Sequence, residues 1–255
     1  MDSIDITYFG RTVSFPDLPR YRKFYARLRA GKWEPATFDV LQKNVDSTTT
    51  YVDIGGWIGA TPFWAAKTAK QVIIVEPDPV CIEILKASAP NYPNVTLLEG
   101  ALATDREVEL HAGEQFGDSE SSLIGDGQAT PVNGVKVDDI MRDAQCDPIF
   151  VKIDIEGYEY AASAEIARFA DYDLRGVQLA VHPQLLEKSF SGNFLARRFR
   201  TVLATWRLGK IFAGKLGAPR IRHRNNLFAY CFFDVLLKRV PKHTDLVFLR
   251  LKGSM

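Results

Sequence analysis

The chain has 255 residues, 46% apolar and 25% charged, with 32 Lys and Arg against 31 Asp and Glu for a net charge of +1. This balance excludes disordered and fibrous architectures and gives no global pull toward nucleic acid or membrane, so electrostatic steering must come from uneven placement of charge. Cys81, Cys146 and Cys231 lie far apart without a CxxC pair, which argues against a disulfide framework or a cysteine-rich zinc site.

The N-terminus carries Asp2 and Asp5 where a signal peptide needs positive charge, and no stretch reaches the length of a membrane span; a soluble, cytoplasmic protein is expected. Ile4, Ile6 and Tyr8 alternate with polar residues, Gly10 follows, and residues 12–15 resume an extended pattern, predicting a hairpin. Helices are expected over 19–30 and 37–45. Residues 1–48 then form an accessory unit, and 49–255 the main domain. In that domain the β-branched runs 50–54, 71–75, 95–99, 149–154 and 177–181 alternate with helical stretches at 61–70, 78–88, 159–169 and 194–205. The pattern predicts a doubly wound α/β fold around a parallel sheet buried on both faces. Residues 101–148 are too long for a simple connection; Val108, Leu110, Val132, Val135 and Val137 predict an inserted hairpin before a helix at 138–144. Runs 227–233 and 246–251, separated by Pro241, predict a terminal antiparallel hairpin.

Tyr51-Val-Asp53-Ile-Gly55-Gly56-Trp-Ile-Gly59 reads as a strand, a glycine-rich turn and a helix. Glycines there let the backbone turn sharply and approach a ligand without a Cβ clash. Asp53 is expected to point into the crevice at the strand's carboxyl end, where it would repel a pyrophosphate but not a cationic amine or sulfonium. The next strand ends in Glu76-Pro77-Asp78, with Glu76 placed 23 residues beyond Asp53. At that offset an acidic residue bridges ribose hydroxyls in α/β nucleotide sites. Asp78 also stands where an N-cap would. Glu99-Gly100-Ala101 ends the third strand with small residues over which an adenine ring fits.

Further on, Lys152, Asp154 and Glu156 alternate with Val151, Ile153 and Ile155, so period-two geometry puts the three ionisable groups on one side of a strand. The fifth strand ends at the same edge in His182-Pro183.

These motifs, with residues 119–123 (SESSL), Val137-Asp138-Asp139, and the flanks Trp33-Glu34-Pro35 and His182-Pro183, stand in an order that resembles the FkbM family of S-adenosylmethionine-dependent methyltransferases over residues 30–185. The resemblance implies a seven-stranded, Rossmann-like class I methyltransferase sheet and S-adenosyl-L-methionine as cofactor. It also implies methyl transfer to a hydroxyl of a sugar, glycan or natural-product acceptor. Cofactor contacts are expected from Glu34, Asp53, Gly55, Gly56, Gly59, Glu76, Pro77, Asp78, Ala101, Ser121 and Asp154. Gly56-Trp57 replaces the more usual Ala-Asn, and the run Gln178–Val181 lacks the acidic residue often found before the family's histidine.

A sulfonium methyl is already activated, so positioning should dominate, while a general base adds roughly 10²–10⁴-fold for an aliphatic hydroxyl. His182 is the first choice of base because its ordinary pKa lies near neutrality, and Glu156 the second. Asp154 is assigned to cofactor contact or to orienting the base, and Lys152 to holding the carboxylates ionised. A divalent metal on Asp154 and Glu156 is not expected, since Lys152 supplies the counter-charge.

From Lys188 to Phe233 there is no Asp or Glu, against Lys188, Arg197, Arg198, Arg200, Arg207, Lys210, Lys215, Arg220, Arg222 and Arg224. The basic segment 188–224 suits an anionic or nucleotide-linked acceptor. A solvated basic face is the plain alternative, and RNA contacted through phosphates and stacking is less favoured. A nicotinamide-dependent reductase and a non-catalytic cofactor-binding protein are the competing readings, the former weakened by an incomplete glycine pattern. The sequence sets no oligomeric state.

Overall fold

A computed structural model describes residues 2–111, 115–118, 129–144, 147–222, 224, 226–238 and 240–250. The chain opens with a hairpin, β1 (Ser3–Tyr8) against β2 (Arg11–Pro16), followed by α1 (Arg22–Arg29) and α2 (Pro35–Asn44). Strands β3 (Thr50–Ile54), β4 (Gln71–Glu76) and β5 (Val95–Glu99) then alternate with α3 (Ala60–Ala66) and α4 (Pro79–Ser88). The insertion holds β6 (Ala101–Leu102), β7 (Glu107–His111) and β8 (Ala129–Val135), a separate three-stranded sheet, ahead of α5 (Val137–Asp143). After it come β9 (Ile149–Ile153), α6 (Ser163–Arg168), β10 (Leu174–Val181), α7 (Pro183–Ser189), α8 (Phe194–Leu208), α9 (Ala213–Leu216), β11 (Arg220–Ile221), α10 (Leu227–Ala229) and β12 (Thr244–Leu249).

The main sheet has seven strands in the order β11-β12-β10-β9-β3-β4-β5, parallel from β10 to β5, with β12 antiparallel to both of its neighbours. This is the doubly wound α/β class. Every residue of β3 and β9 is buried, as expected for strands covered on both faces. Alternate residues feed two cores. Val52, Ile54, Val151 and Ile153 pack with the helices that follow β9. Tyr51, Val72, Ile74 and Phe150 pack with the N-terminal hairpin and α1–α4. The hairpin is tied down by polar contacts as well: the Tyr8 hydroxyl donates to the Ala60 carbonyl at 2.7 Å, and the Trp64 indole donates to the Tyr8 carbonyl at 3.2 Å.

The expected strand at 227–233 is helical instead: α10 continues into a π-helix over Tyr230–Leu237. An apolar run of this length fits a buried strand or a helix equally well by pattern. Asn226 decides locally, its side chain accepting from the Ala229 amide at 2.8 Å as an N-cap. The antiparallel partners of β12 are β10 and the two-residue β11.

The chain runs outward from β3 through β4 to β5 and then returns to β9 on the other side of β3. The strand order therefore reverses between β3 and β9. In an open α/β sheet, the crevice beyond the carboxyl ends of the strands at such a reversal is where ligands bind.

Candidate active site

At this reversal the chain leaves β3 through Gly55, whose φ is +85°. A Cβ there would lie 2.0 Å from the Asp154 carbonyl oxygen, so the two strand ends approach closely only because residue 55 has no side chain. The next turn places Trp57 so that its amide donates to Glu76 Oε2 at 2.8 Å, while the Asp78 amide donates to Glu76 Oε1 at 2.9 Å. Burial pushes the Glu76 carboxyl up to about 8, against the opposing pull of these two amides. Asp78 caps α4 through the Val80 amide at 2.8 Å, and its other oxygen accepts from Gly117 N at 2.7 Å. Gly117 is held twice more, by the Tyr21 hydroxyl at 2.8 Å and the Trp57 indole at 3.0 Å. One short piece of the insertion is thereby fixed over the crevice.

Beneath it lies a cavity of about 550 Å³ lined by Gly55, Trp57, Glu76, Pro77, Gly100, Ala101, Asp118, Asp154, Glu156 and Tyr158, among others. A second, of about 530 Å³, shares Gly55, Trp57, Asp154 and Glu156 with it and adds Trp33, Glu34, Gly56 and Lys152. A third, of about 1390 Å³, shares Glu34 and extends past Thr37 to Arg222, Arg224, Tyr230, Lys238 and His243. Asp53, Gly59 and Asp78 line none of the three, and Ser121 lies outside the described residues.

Asp53 does not face the crevice as its position on the strand led us to expect. It is fully buried and accepts from the Tyr51 hydroxyl at 2.9 Å and the Thr61 hydroxyl at 2.5 Å. Its other oxygen lies 3.6 Å from Lys152 Nζ, which is also 3.4 Å from Asp154 Oδ2. Burial alone would lower the Lys152 pKa, but Asp53, Asp154 and Glu34 more than offset it and keep the ammonium charged. Burial likewise works against the Asp154 carboxylate, yet Lys152, His182 and His243 hold its pKa below the ordinary value.

The strand period stops short of Glu156. β9 ends at Ile153, and Glu156 comes back to the site through a left-handed backbone at φ +46°. Its Oε2 stands 3.4 Å from His182 Nε2, and Asp154 Oδ1 lies 3.7 Å from the same nitrogen. On the other side of the ring, Glu159 Oε1 lies 3.2 Å from His182 Nδ1 and accepts the His182 amide at 2.6 Å. Burial would lower the His182 pKa, but these three carboxylates raise it to about 9. His182 is therefore an imidazolium at neutral pH and a poor proton acceptor, contrary to its expected place as first-choice base. His243 packs its ring 5.3 Å from that of His182, and Asp154, His182 and His243 bring three potential metal-ligating atoms within 4.8 Å of one another.

Glu34 sits where the second and third cavities meet, at φ +41° ahead of α2. Burial and Asp154 raise its carboxyl to about 7, with Lys152 opposing. Among the described residues four non-glycines have positive φ, and three of them, Glu34, Trp57 and Glu156, line the second cavity. Such backbone costs roughly 1–3 kcal/mol per residue and persists where surroundings enforce it, commonly at functional sites. Glu159, His243 and Gly117 were not singled out by the sequence. Only Glu159, three residues past Glu156 in the same acidic run, carried a local signal.

The sequence profile of the methyltransferase FkbM domain matches residues 53–207, more than half of the chain. The protein belongs to the FkbM methyltransferase family and is an S-adenosylmethionine-dependent methyltransferase. No curated protein matches the chain. Similar solved structures include methyltransferase FkbM from Methylobacillus flagellatus KT, at 14% identity and TM-score 0.46, covering 92% of this chain and 56% of that one. The T. thermophilus 16S rRNA N2 G1207 methyltransferase, in complex with AdoMet and guanosine, shows 15% identity and TM-score 0.47 over 98% of this chain and 50% of that one. The Methanococcus jannaschii fibrillarin pre-rRNA processing protein shows 12% identity and TM-score 0.44 over 98% and 83%. The chain spans about half the length of the first two.

The raised His182 pKa has a consequence for stability. Its contribution is fully present below the ordinary histidine value of 6.5 and is lost as pH rises through about 9. Chemical denaturation of wild type and His182→Gln should therefore show a stability gap that is widest near pH 6 and shrinks steadily to pH 9.5. A gap independent of pH would contradict the imidazolium assignment.

Proposed function

We propose that the protein transfers the methyl group of S-adenosyl-L-methionine to a hydroxyl of a sugar, glycan or natural-product acceptor, with an anionic or nucleotide-linked acceptor the best match. The reading rests on Glu34, a carboxyl poised near neutrality at the passage between an acid-walled cavity and a larger one lined by Arg222 and by Arg224 paired with Asp234.

The first cavity suits the cofactor. Glu76 offers carboxyl oxygens to a ribose diol, Gly100 and Ala101 leave room for a flat ring, and Asp154 faces a cationic sulfur or amine. Asp53 acts from beneath by holding Lys152, and Asp78 by fixing Gly117. Bound there, S-adenosylmethionine would supply an activated methyl group for transfer from sulfur to the acceptor oxygen. Glu34 takes the hydroxyl proton on its carboxylate, while the Lys152 ammonium keeps Asp154 ionised and the His182 imidazolium orients Glu156. Residues 49–255 carry this chemistry, and the N-terminal unit contributes Glu34 through the turn before α2.

The transfer needs no divalent ion. Lys152 and His182 already provide two cations among the carboxylates, so activity should persist in excess EDTA. Loss of activity restored by added metal would instead give Asp154, His182 and His243 to an ion.

Radiolabelled methyl transfer across a panel of sugars, nucleotide sugars and RNA tests the main reading, with incorporation into a carbohydrate hydroxyl expected and incorporation into RNA alone overturning it. With a working acceptor, kcat/KM should rise with pH through about 7 as Glu34 ionises. Glu34→Gln should lose that limb together with roughly 10²–10⁴-fold in rate, leaving cofactor affinity nearly intact. Glu76→Ala should instead weaken S-adenosylhomocysteine binding by about 0.5–1.5 kcal/mol per lost hydrogen bond, as read by calorimetry.

A further inference from the structure

The eight exposed large hydrophobic residues of the described structure all fall between Phe194 and Leu237, on α8 and on the run formed by α10 and the π-helix. On α8, Leu195, Phe199 and Leu203 recur every four residues and form one outward stripe, 74%, 63% and 38% exposed. Trp206 continues the stripe and meets Phe228 edge-on at 6.3 Å; Phe228 stacks on Phe232 at 5.8 Å. The opposite face of α8 packs inward through Thr201, Thr205 and Leu208. Arg198, also buried, locks the two elements together, donating to Glu187 at 2.8 Å and to the Val235 carbonyl at 2.7 Å. The apolar surface is thus a braced platform spanning two helical elements.

Charge restricts what covers it. Within Lys188–Phe233 there is no acidic residue, and the exposed Arg200, Arg207 and Lys210 flank the stripe. A two-fold pairing with a second copy would set these arginines against their own equivalents at the rim. A purely apolar partner would leave them unused. A surface that is apolar within and anionic at its edge satisfies both features: aromatic and aliphatic side chains enter the headgroup layer while arginine and lysine meet lipid phosphates. No helix among the described residues is long and apolar enough to cross a membrane, so contact is along the surface.

We propose that the face carrying Leu195, Phe199, Leu203, Phe228 and Phe232 docks the protein on an anionic lipid bilayer. The test is flotation of the full chain with phosphatidylcholine vesicles, with and without phosphatidylglycerol. The protein should float with the anionic vesicles and not with phosphatidylcholine alone, and raised salt should weaken the binding. Phe199→Ser with Phe228→Ser should abolish flotation while leaving the melting temperature nearly unchanged, since both side chains are exposed. Arg200→Gln and Arg207→Gln should each weaken binding roughly fivefold, the factor expected for one basic residue at such a surface. No flotation at low salt, equal binding to both vesicle types, or full binding by the double serine variant would overturn the proposal. So would light scattering that shows a dimer converted to monomer by the serine substitutions, which would give the face to a second copy.

Discussion

The site is organised around one buried cation. Lys152 Nζ lies between Asp53 on β3 and Asp154 just past the end of β9, and it is 5% exposed. Charges this deep are tolerated only when paired, and an uncompensated partner costs about 3–5 kcal/mol. Lys152 thus makes it possible to carry Asp154 and Glu34 in one small space without neutralising both of them by protonation. The arrangement also divides the acids by function. Asp53 spends its carboxylate on Lys152, Tyr51 and Thr61, whereas Asp154 turns Oδ2 to Lys152 and leaves a buried Oδ1 without a hydrogen-bond partner at the cavity wall.

Backbone strain completes what charge begins. Glu34, Trp57 and Glu156 reach one cavity from three separate turns, each through a left-handed conformation that only surrounding structure makes tolerable. For Trp57 the restraint is visible: its amide is bound by Glu76 and its indole by Gly117, so the turn after β3 is held from β4 and from the insertion at once. The insertion is accordingly part of the first cavity's wall through Asp118, and not merely a long connection.

Much of this was legible from residue order. The strands from β3 to β10 announce themselves as short β-branched runs because both faces are buried, and the spacing from Asp53 to Glu76 follows from the length of one βα unit. What escaped depends on relations that period and spacing do not carry. Residues 227–237 are apolar enough for a strand, yet the cap at Asn226 and the lock from Arg198 make them helical. Strand alternation places Lys152 and Asp154 together, but it ends at Ile153, and Glu156 arrives by a turn whose φ no pattern reveals. His243 reaches the site from the far end of the chain with no motif around it.

The choice of base shows most clearly how environment overrides residue type. Histidine is favoured on its ordinary pKa, but Glu159, Asp154 and Glu156 surround the His182 ring and stabilise its charged form, so the features that fix it in the site withdraw it from proton abstraction. A glutamate ordinarily ionises too readily to be an effective base at neutral pH; burial of Glu34 beside Asp154 raises it to about 7, into the range where a base is both free to accept a proton and strong enough to do so. In the proposed reaction the cluster of acids therefore inverts the usual assignment, making a fixed cation of His182 and leaving Glu34 as the neutral-range base.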